Sequence, residues 1–252
     1  MTSRCRVMSA GVVALIAWSA FGVLAAVVAG GHGGPLSVDQ GLLSWSVGHR
    51  PPVAVAVARA LTSTGTGALP YVVAVVAGLV AGRTARQRLA AALLAVVCLG
   101  AGQAVRYGLM DLVGRARPPR YDWQAYASGW SFPSGHTTTS ALTAGLLILA
   151  LGLRAPRGRT ALCALIALWG AGVGLTRVFL GVHWFTDVVG GWLFAVGWLA
   201  LFVCAVARWP PARRFVPRAP EPGTSHPSDS ADGPVESHAP QDPHRRGRSR
   251  PA

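Results

Sequence analysis

Lysine is absent from this chain of 252 residues, so all 23 of its basic residues are arginine. Only nine residues are acidic, which leaves a formal net charge of +14. Such a charge would suit nucleic acid if the arginines shared one folded face. They fall instead in short loops between apolar runs and in a C-terminal tail, so topology and a solvated tail explain them, and no nucleic-acid partner is expected. The four cysteines, Cys5, Cys98, Cys163 and Cys204, lie far apart and form no CxxC pair. That spacing argues against a disulfide framework or a zinc site.

Hydrophobic residues make up 52% of the chain and lie in runs that almost no charge interrupts. Runs of about 20 apolar residues are read as membrane spans, not as a soluble core. Six runs are present: about Ser9–Gly30, a shorter one over Gly67–Gly82, then Leu89–Met110, Thr137–Leu153, Ala161–Leu180 and Phe185–Ala207. The first follows Arg4 and Arg6 like a signal peptide, and Val27-Val28-Ala29 mimics a cleavage site, but its length suits an uncleaved span. Between Gly31 and Thr66, the residues Leu42, Leu43, Trp45 and Val47 suggest one short interfacial helix ended by Pro51-Pro52. From Trp209 onward the chain is rich in Pro, Ser, Asp, His and Arg and lacks apolar periodicity, the composition of a disordered tail. His226, His238 and His244 read there as solvated residues, not metal ligands. The expected fold is all-α, an integral membrane bundle of about six transmembrane helices. Its expected parts are an N-terminal segment with the first span at 1–34, a core at 35–207 and a disordered cytoplasmic tail at 208–252.

Arginine placement orients the bundle. Arg4 and Arg6, then Arg83, Arg86 and Arg88, then Arg154, Arg157 and Arg159, then Arg208, Arg213, Arg214 and Arg218 all fall on one side if there are six spans. The positive-inside rule makes that side cytoplasmic, with both termini there, in a multi-pass protein of the cell membrane. Arg50, Arg59, Arg115, Arg117, Arg120 and Arg177 lie on the other side and need another reason to be there.

Three polar segments share that second side. Gly114-Arg115-Ala116-Arg117-Pro118-Pro119 follows the third span, Phe132-Pro133-Ser134-Gly135-His136-Thr137 opens the fourth, and 176–187 joins the fifth to the sixth. Arg117 and Arg177 offer planar forks of donors that match phosphate oxygens. Ser134 and Gly135 stand where a loop enters a helix, so free backbone N–H groups and the helix dipole favour an anion. His183 and Asp187, four apart, share a face if the last helix begins there, and the carboxylate then orients the imidazole as a nucleophile. His136 is placed to protonate a leaving oxygen. Other readings stand beside these. Arg115 and Arg117 would also suit lipid headgroups, and Pro133-Ser134-Gly135 and Asp187 would serve as plain helix caps. His183, Asp187 and His136 together have the donor types of a two-histidine, one-carboxylate iron site, which the surrounding arginines disfavour.

The three segments resemble the type 2 phosphatidic acid phosphatase superfamily, which includes membrane lipid phosphatases and is related to vanadium haloperoxidases. That signature runs Lys-x6-Arg-Pro, then Pro-Ser-Gly-His, then Ser-Arg-x5-His-x3-Asp. This chain has Arg117-Pro118, then Pro133-Ser134-Gly135-His136, then Thr176-Arg177 with His183 and Asp187 at the matching distances. The resemblance implies metal-independent hydrolysis of a lipid phosphate or polyprenyl pyrophosphate through a phosphohistidine, with no cofactor. Substrates of that kind include undecaprenyl pyrophosphate, phosphatidic acid and phosphatidylglycerol phosphate. His183 would attack phosphorus, Asp187 would orient it, and His136 would protonate the leaving group. Arg117, Arg177, Ser134 and the Gly135 amide would hold the phosphoryl oxygens. Two positions depart from the pattern. Thr176 replaces a serine and keeps the hydroxyl, whereas Met110 replaces the lysine and has no charge. Arg106, one turn earlier, is a candidate to supply part of the missing charge; without it the site has one fewer cation and is slower or tuned to a different headgroup. The alternative is a catalytically weakened binder or transporter of phospholipid headgroups, which Met110 favours and the retained His183, His136 and Asp187 disfavour. A haloperoxidase-like enzyme is disfavoured because such relatives are soluble.

Overall fold

The structure, a computed structural model, describes residues 3–154 and 157–208, and the side chains from residue 7 on. Contacts group residues 1–216 into one unit and 217–252 into another. The second unit and the expected tail beyond Arg208 lie outside the described residues, with His226, His238 and His244.

Among the described residues every regular element is helical: α1 (Ser3–Gly30), α2 (Ser37–Gly48), α3 (Pro52–Ser63), α4 (Leu69–Ala81), α5 (Ala85–Val113), α6 (Gly135–Arg154), α7 (Arg159–Phe179) and α8 (Phe185–Arg208), with one 3₁₀ turn at Arg120–Asp122. Five of them, α1, α5, α6, α7 and α8, are long and apolar enough to cross a membrane, which makes this a multi-pass membrane protein. The second apolar run, counted as a span from the sequence, folds as α4 with only 13 residues. At about 1.5 Å per residue it is about 20 Å long, short of the roughly 30 Å of a hydrocarbon core.

The chain solves that shortfall with α3, an element the sequence reading missed. Pro51-Pro52 does end α2, but it also starts α3. Pro51 is the extended N-cap and Pro52 occupies the first turn, where its missing N–H costs nothing. α3 descends along α7 until Thr64, whose hydroxyl accepts a bond from Trp169 Nε1 at 2.9 Å. Gly65 then packs so tightly on Val173 and Ser140 that a Cβ would overlap Val173. α4 continues from that depth, between α5 and α6, to Gly82, where Arg154 Nε donates to Val80 O at 2.5 Å. End to end, the two short helices match the length that a single span needs.

α6 occupies the middle, against α4, α5, α7 and α8. Its first turns bury Thr137, Thr138, Thr139, Ser140 and Thr143, and all of these hydroxyls but that of Thr138 find partners within the bundle: Ser140 Oγ donates to Gly170 O at 3.1 Å, and Thr143 donates to Thr139 O at 2.8 Å. α1 runs along α8, where Trp18 meets Phe194 edge-on at 5.3 Å. α8 approaches the loop before α6 through Gly190 and Gly191, since a Cβ on Gly190 would meet the Phe132 ring at 2.5 Å and one on Gly191 would meet Thr137 at 2.9 Å. The ends of α1, α5 and α7 and the starts of α6 and α8 therefore gather at one end of the bundle.

Candidate active site

The three polar segments meet at that end. α5 stops at Gly114, which adopts a left-handed conformation (φ 60°) and turns the chain toward Arg115 and Arg117. α7 stops after Arg177, and the chain reaches α8 through His183. The His183 ring is almost fully buried. Its Nδ1 lies 3.2 Å from Asp187 Oδ2, and its Nε2 lies 2.9 Å from Arg117 Nη1. A carboxylate accepts and a guanidinium donates, so Nδ1 carries the proton and Nε2 presents a lone pair. Burial pushes the imidazole down to about 4, against the opposing pull of Asp187. The ring is therefore neutral at ordinary pH, the form that can attack.

Arg117 is fixed by carbonyls. It donates to Gly129 O, Ser128 O, Trp130 O and Val182 O at 2.8 to 2.9 Å. Burial lowers its pKa from the usual value, with Asp187 acting against that. The loop at 128–130 is thereby held against the histidine. Arg177, 2% exposed, donates to Thr62 Oγ1 at 3.1 Å and toward Tyr126 O at 3.5 Å, while its Nε has no partner. An anion in the adjoining cavity would supply one.

Ser134 caps α6. Its Oγ accepts from Thr137 at 3.0 Å and keeps its own proton for another acceptor. The amides of Gly135 and His136 begin α6, where no intrahelical carbonyl is available. His136 is half-buried, with no hydrogen bond to a described residue, and lines a cavity of about 640 Å³ with Arg177, Arg59, Thr62 and Tyr126. Met110, in the lysine position, is buried and carries no charge. Arg106 fills the gap from one turn earlier. Its Nη1 lies 3.4 Å from Met110 Sδ, and its guanidinium would lie 3.3 Å from a Cβ on Gly135. The eight residues expected at the site, His183, Asp187, His136, Arg117, Arg177, Ser134, Gly135 and Arg106, are thus brought together.

Arg115 is corrected by the structure. It meets no lipid headgroup, because it is fully buried. Its Nη1 donates to Asp187 Oδ1 at 2.6 Å and Thr186 Oγ1 at 2.7 Å, and its Nη2 to Asp39 Oδ2 at 2.8 Å and Gly34 O at 3.1 Å. Asp39 was missed from the sequence, although it had a signal. It is the sole acidic residue before Asp111 and stands in an apolar stretch, where a charge needs a partner. Arg50 and Arg59 also gain reasons to be at this end. Arg50 donates to Asp122 O at 2.7 Å and Arg59 to Gln124 O at 2.6 Å, pinning the loop between α5 and α6.

The donor set fits an anion better than a cation. Any metal at His183 Nε2 would face the Arg117 guanidinium, and Arg177 and Arg106 stand close by. A phosphoryl group would instead meet donors from Arg177 and Arg106, a hydroxyl and two helix-start amides, and the Arg117 N–H now on His183 Nε2 once that lone pair attacks.

Residues 90–211 match the family profile described as the PAP2 superfamily. This chain carries a PAP2 superfamily domain. A lipid A 1-phosphatase of Rhizobium etli is 35% identical over 136 residues, which cover 46% of this chain and 55% of that one. A phosphatidylglycerophosphatase B of Escherichia coli is 40% identical over 101 residues, 40% of this chain and 36% of the relative. The chain therefore spans about half or less of the length of these relatives. A phosphatidylglycerophosphatase B of Bacillus subtilis is 28% identical over 172 residues, 66% of this chain and 81% of that one. The crystal structure of a transmembrane PAP2-type phosphatidylglycerolphosphate phosphatase from B. subtilis superposes with a TM-score of 0.61 at 26% identity, covering 75% of this chain and 93% of that one. The PAP2 match takes in Arg106, Arg115, Arg117, the α6 start and Asp187, and it leaves out α1 to α4, Asp39 included.

Proposed function

We propose that this protein hydrolyses a lipid phosphate or polyprenyl pyrophosphate, without a metal, through a phosphohistidine. The observation that carries the reading is the His183 ring, anchored at Nδ1 by Asp187 and offering its Nε2 lone pair beside Arg117. Mere headgroup binding needs no oriented nucleophile.

The steps follow from the positions. A phosphoryl group enters against Arg117, Arg177, Arg106, Ser134 and the Gly135 amide. The His183 Nε2 lone pair forms a bond to phosphorus, and the bond from phosphorus to the leaving oxygen breaks. His136, protonated beside the bound phosphate anion, gives that oxygen a proton. Water then enters, His136 takes its proton back from it, and the hydroxide bonds to phosphorus as the P–N bond breaks. Inorganic phosphate leaves, and both histidines return to their starting states. Charge builds on the phosphoryl oxygens in each transfer, and donors fixed in advance stabilise it.

The relatives' names bring phosphatidylglycerol phosphate and the 1-phosphate of lipid A to this chain as candidate substrates, beside undecaprenyl pyrophosphate and phosphatidic acid. The cavity beside His136 supports a lipid entering from the side. It is bordered by Arg59, Thr62, Ser63 and Thr66, at the step between α3 and α4. We place the site at the outer face of the cell membrane and both termini in the cytoplasm, from the arginines of the opposite face.

Met110 favours the reading as a weakened headgroup binder, and Arg106 against Gly135 answers it. The test is phosphate release by purified protein in detergent with a chelator present, across lipid phosphates and pyrophosphates. Release by the wild type, lost in His183→Ala, is expected. No release from any lipid with headgroup binding retained would hand the site to the binder.

A further inference from the structure

We propose that Asp39 and Arg115 are positioning residues that orient the Asp187 carboxylate and leave a net negative charge behind His183, an inference that rests on the phosphohistidine reading above.

Asp187 divides its two oxygens. Oδ1 accepts from Arg115, and Oδ2 accepts from His183 Nδ1 and from the Trp184 amide. Paired with Arg115 alone, the carboxylate would spend its charge on a guanidinium that is fully buried and cannot be screened by water. Asp39 changes that balance. It meets the other terminal nitrogen of Arg115 at 2.8 Å and is itself fully buried. The trio of Asp39, Arg115 and Asp187 then carries one net negative charge instead of none, directly behind the imidazole. His183 becomes cationic as its Nε2 bonds to phosphorus, and that negative charge gains its full value at that moment.

Asp39 also fixes the element that carries Asp187. Its Oδ1 accepts from the Thr186 amide at 2.8 Å, at the first turn of α8, and its Oδ2 from the Leu36 amide at 3.0 Å. The Thr186 hydroxyl lies 2.8 Å from Asp39 Oδ2 and accepts from Arg115. α2 is thus joined to the catalytic end of α8 by an acid that caps a helix other than its own. A cap alone needs only an acceptor oxygen, whereas the electrostatic role needs the charge. Those two roles are separable.

The experiment compares Asp39→Asn with Asp39→Ala and His183→Ala in the full-length protein. Asparagine keeps one acceptor oxygen, for the Thr186 amide, and removes the charge together with the second acceptor oxygen that takes the Leu36 amide, so the pH profile and the double variant, not the kcat alone, report the charge. The charged and titratable groups facing His183 are Arg117, Arg177, His136 and Asp187, and none of them is altered. Asp39→Asn is expected to lower kcat roughly 10- to 100-fold, the worth of a hydrogen bond to a charged group, with KM within about twofold because no phosphate-holding residue changes. The acid limb of its kcat/KM profile is expected to move to lower pH, because Arg115 then bears fully on Asp187 and His183. Replacing both charges in Asp39→Asn with Arg115→Met is expected to restore part of the kcat lost in Asp39→Asn alone. Wild-type kcat and acid limb in a folded Asp39→Asn, with Asp39→Ala impaired only in thermal stability, would reduce Asp39 to a cap and overturn the proposal. Turnover retained by His183→Ala would overturn the phosphohistidine reading instead, so the two failures are told apart.

Discussion

Arg117 meets the lone pair through which His183 would attack in the proposed reaction, so that lone pair is already paired before a phosphoryl group arrives. The ring is held neutral by burial, and the sign of its pH dependence follows. A histidine pushed down to about 4 is competent above that pH and loses competence as the pH falls through it. The acid limb of kcat/KM, corrected for ionisation of the substrate, should therefore lie near 4 and not near the ordinary imidazole value of about 6.5. Between those values the unfolded chain binds a proton that the folded one refuses, so stability should also decline as the pH drops across that window. Arg106 carries a second prediction. Its guanidinium lies against Gly135, whereas Arg120 is exposed and stands 5.8 Å from the Trp123 ring. Arg106→Ala should lose on the order of 10- to 100-fold in kcat/KM, and Arg120→Ala close to nothing. Equal activities would remove Arg106 from the site. The local motifs made most of these residues legible: eight site residues were read from spacing and resemblance alone. Asp39 and the true role of Arg115 were not, because their pairing joins residues separated by 76 positions and no local spacing encodes it.

At the scale of elements, the long runs were legible because lipid demands about 20 apolar residues in a row. α3 was hidden because its stretch, Pro52–Ser63, opens with a proline read as a stop and carries a charge at Arg59. α4 was read too generously, because hydropathy does not reveal that a short helix borrows depth from its neighbour. The close contacts of α8 are equally invisible in hydropathy and depend on having no side chain at Gly190 and Gly191. Gly190→Val should press on the Phe132 ring, immediately before the loop into α6, and cost about 1–3 kcal/mol or more of stability. Thermal unfolding in detergent measures it. A melting temperature at the wild-type value would mean that α6 and α8 are not packed as described.

For the whole molecule, the arginines divide into two populations with two causes. Those at Arg83, Arg86, Arg88, Arg154 and Arg159 gather where α4, α6 and α8 end, opposite the site, where the positive-inside rule expects a cytoplasmic face. Those at Arg50, Arg59, Arg115, Arg117 and Arg177 hold loops, carboxylates or an incoming anion. In a background without the native cysteines, Ser128→Cys should react with an impermeant maleimide on intact cells, and Arg83→Cys only after permeabilisation. The reverse pattern would invert the orientation. The phosphohistidine itself is tested most directly by quenching turnover of a radiolabelled lipid phosphate with alkali and locating the label. The expected result is a phosphoryl group on His183, stable to base and lost in acid. Label on another residue, or undiminished turnover by His183→Ala, would contradict it.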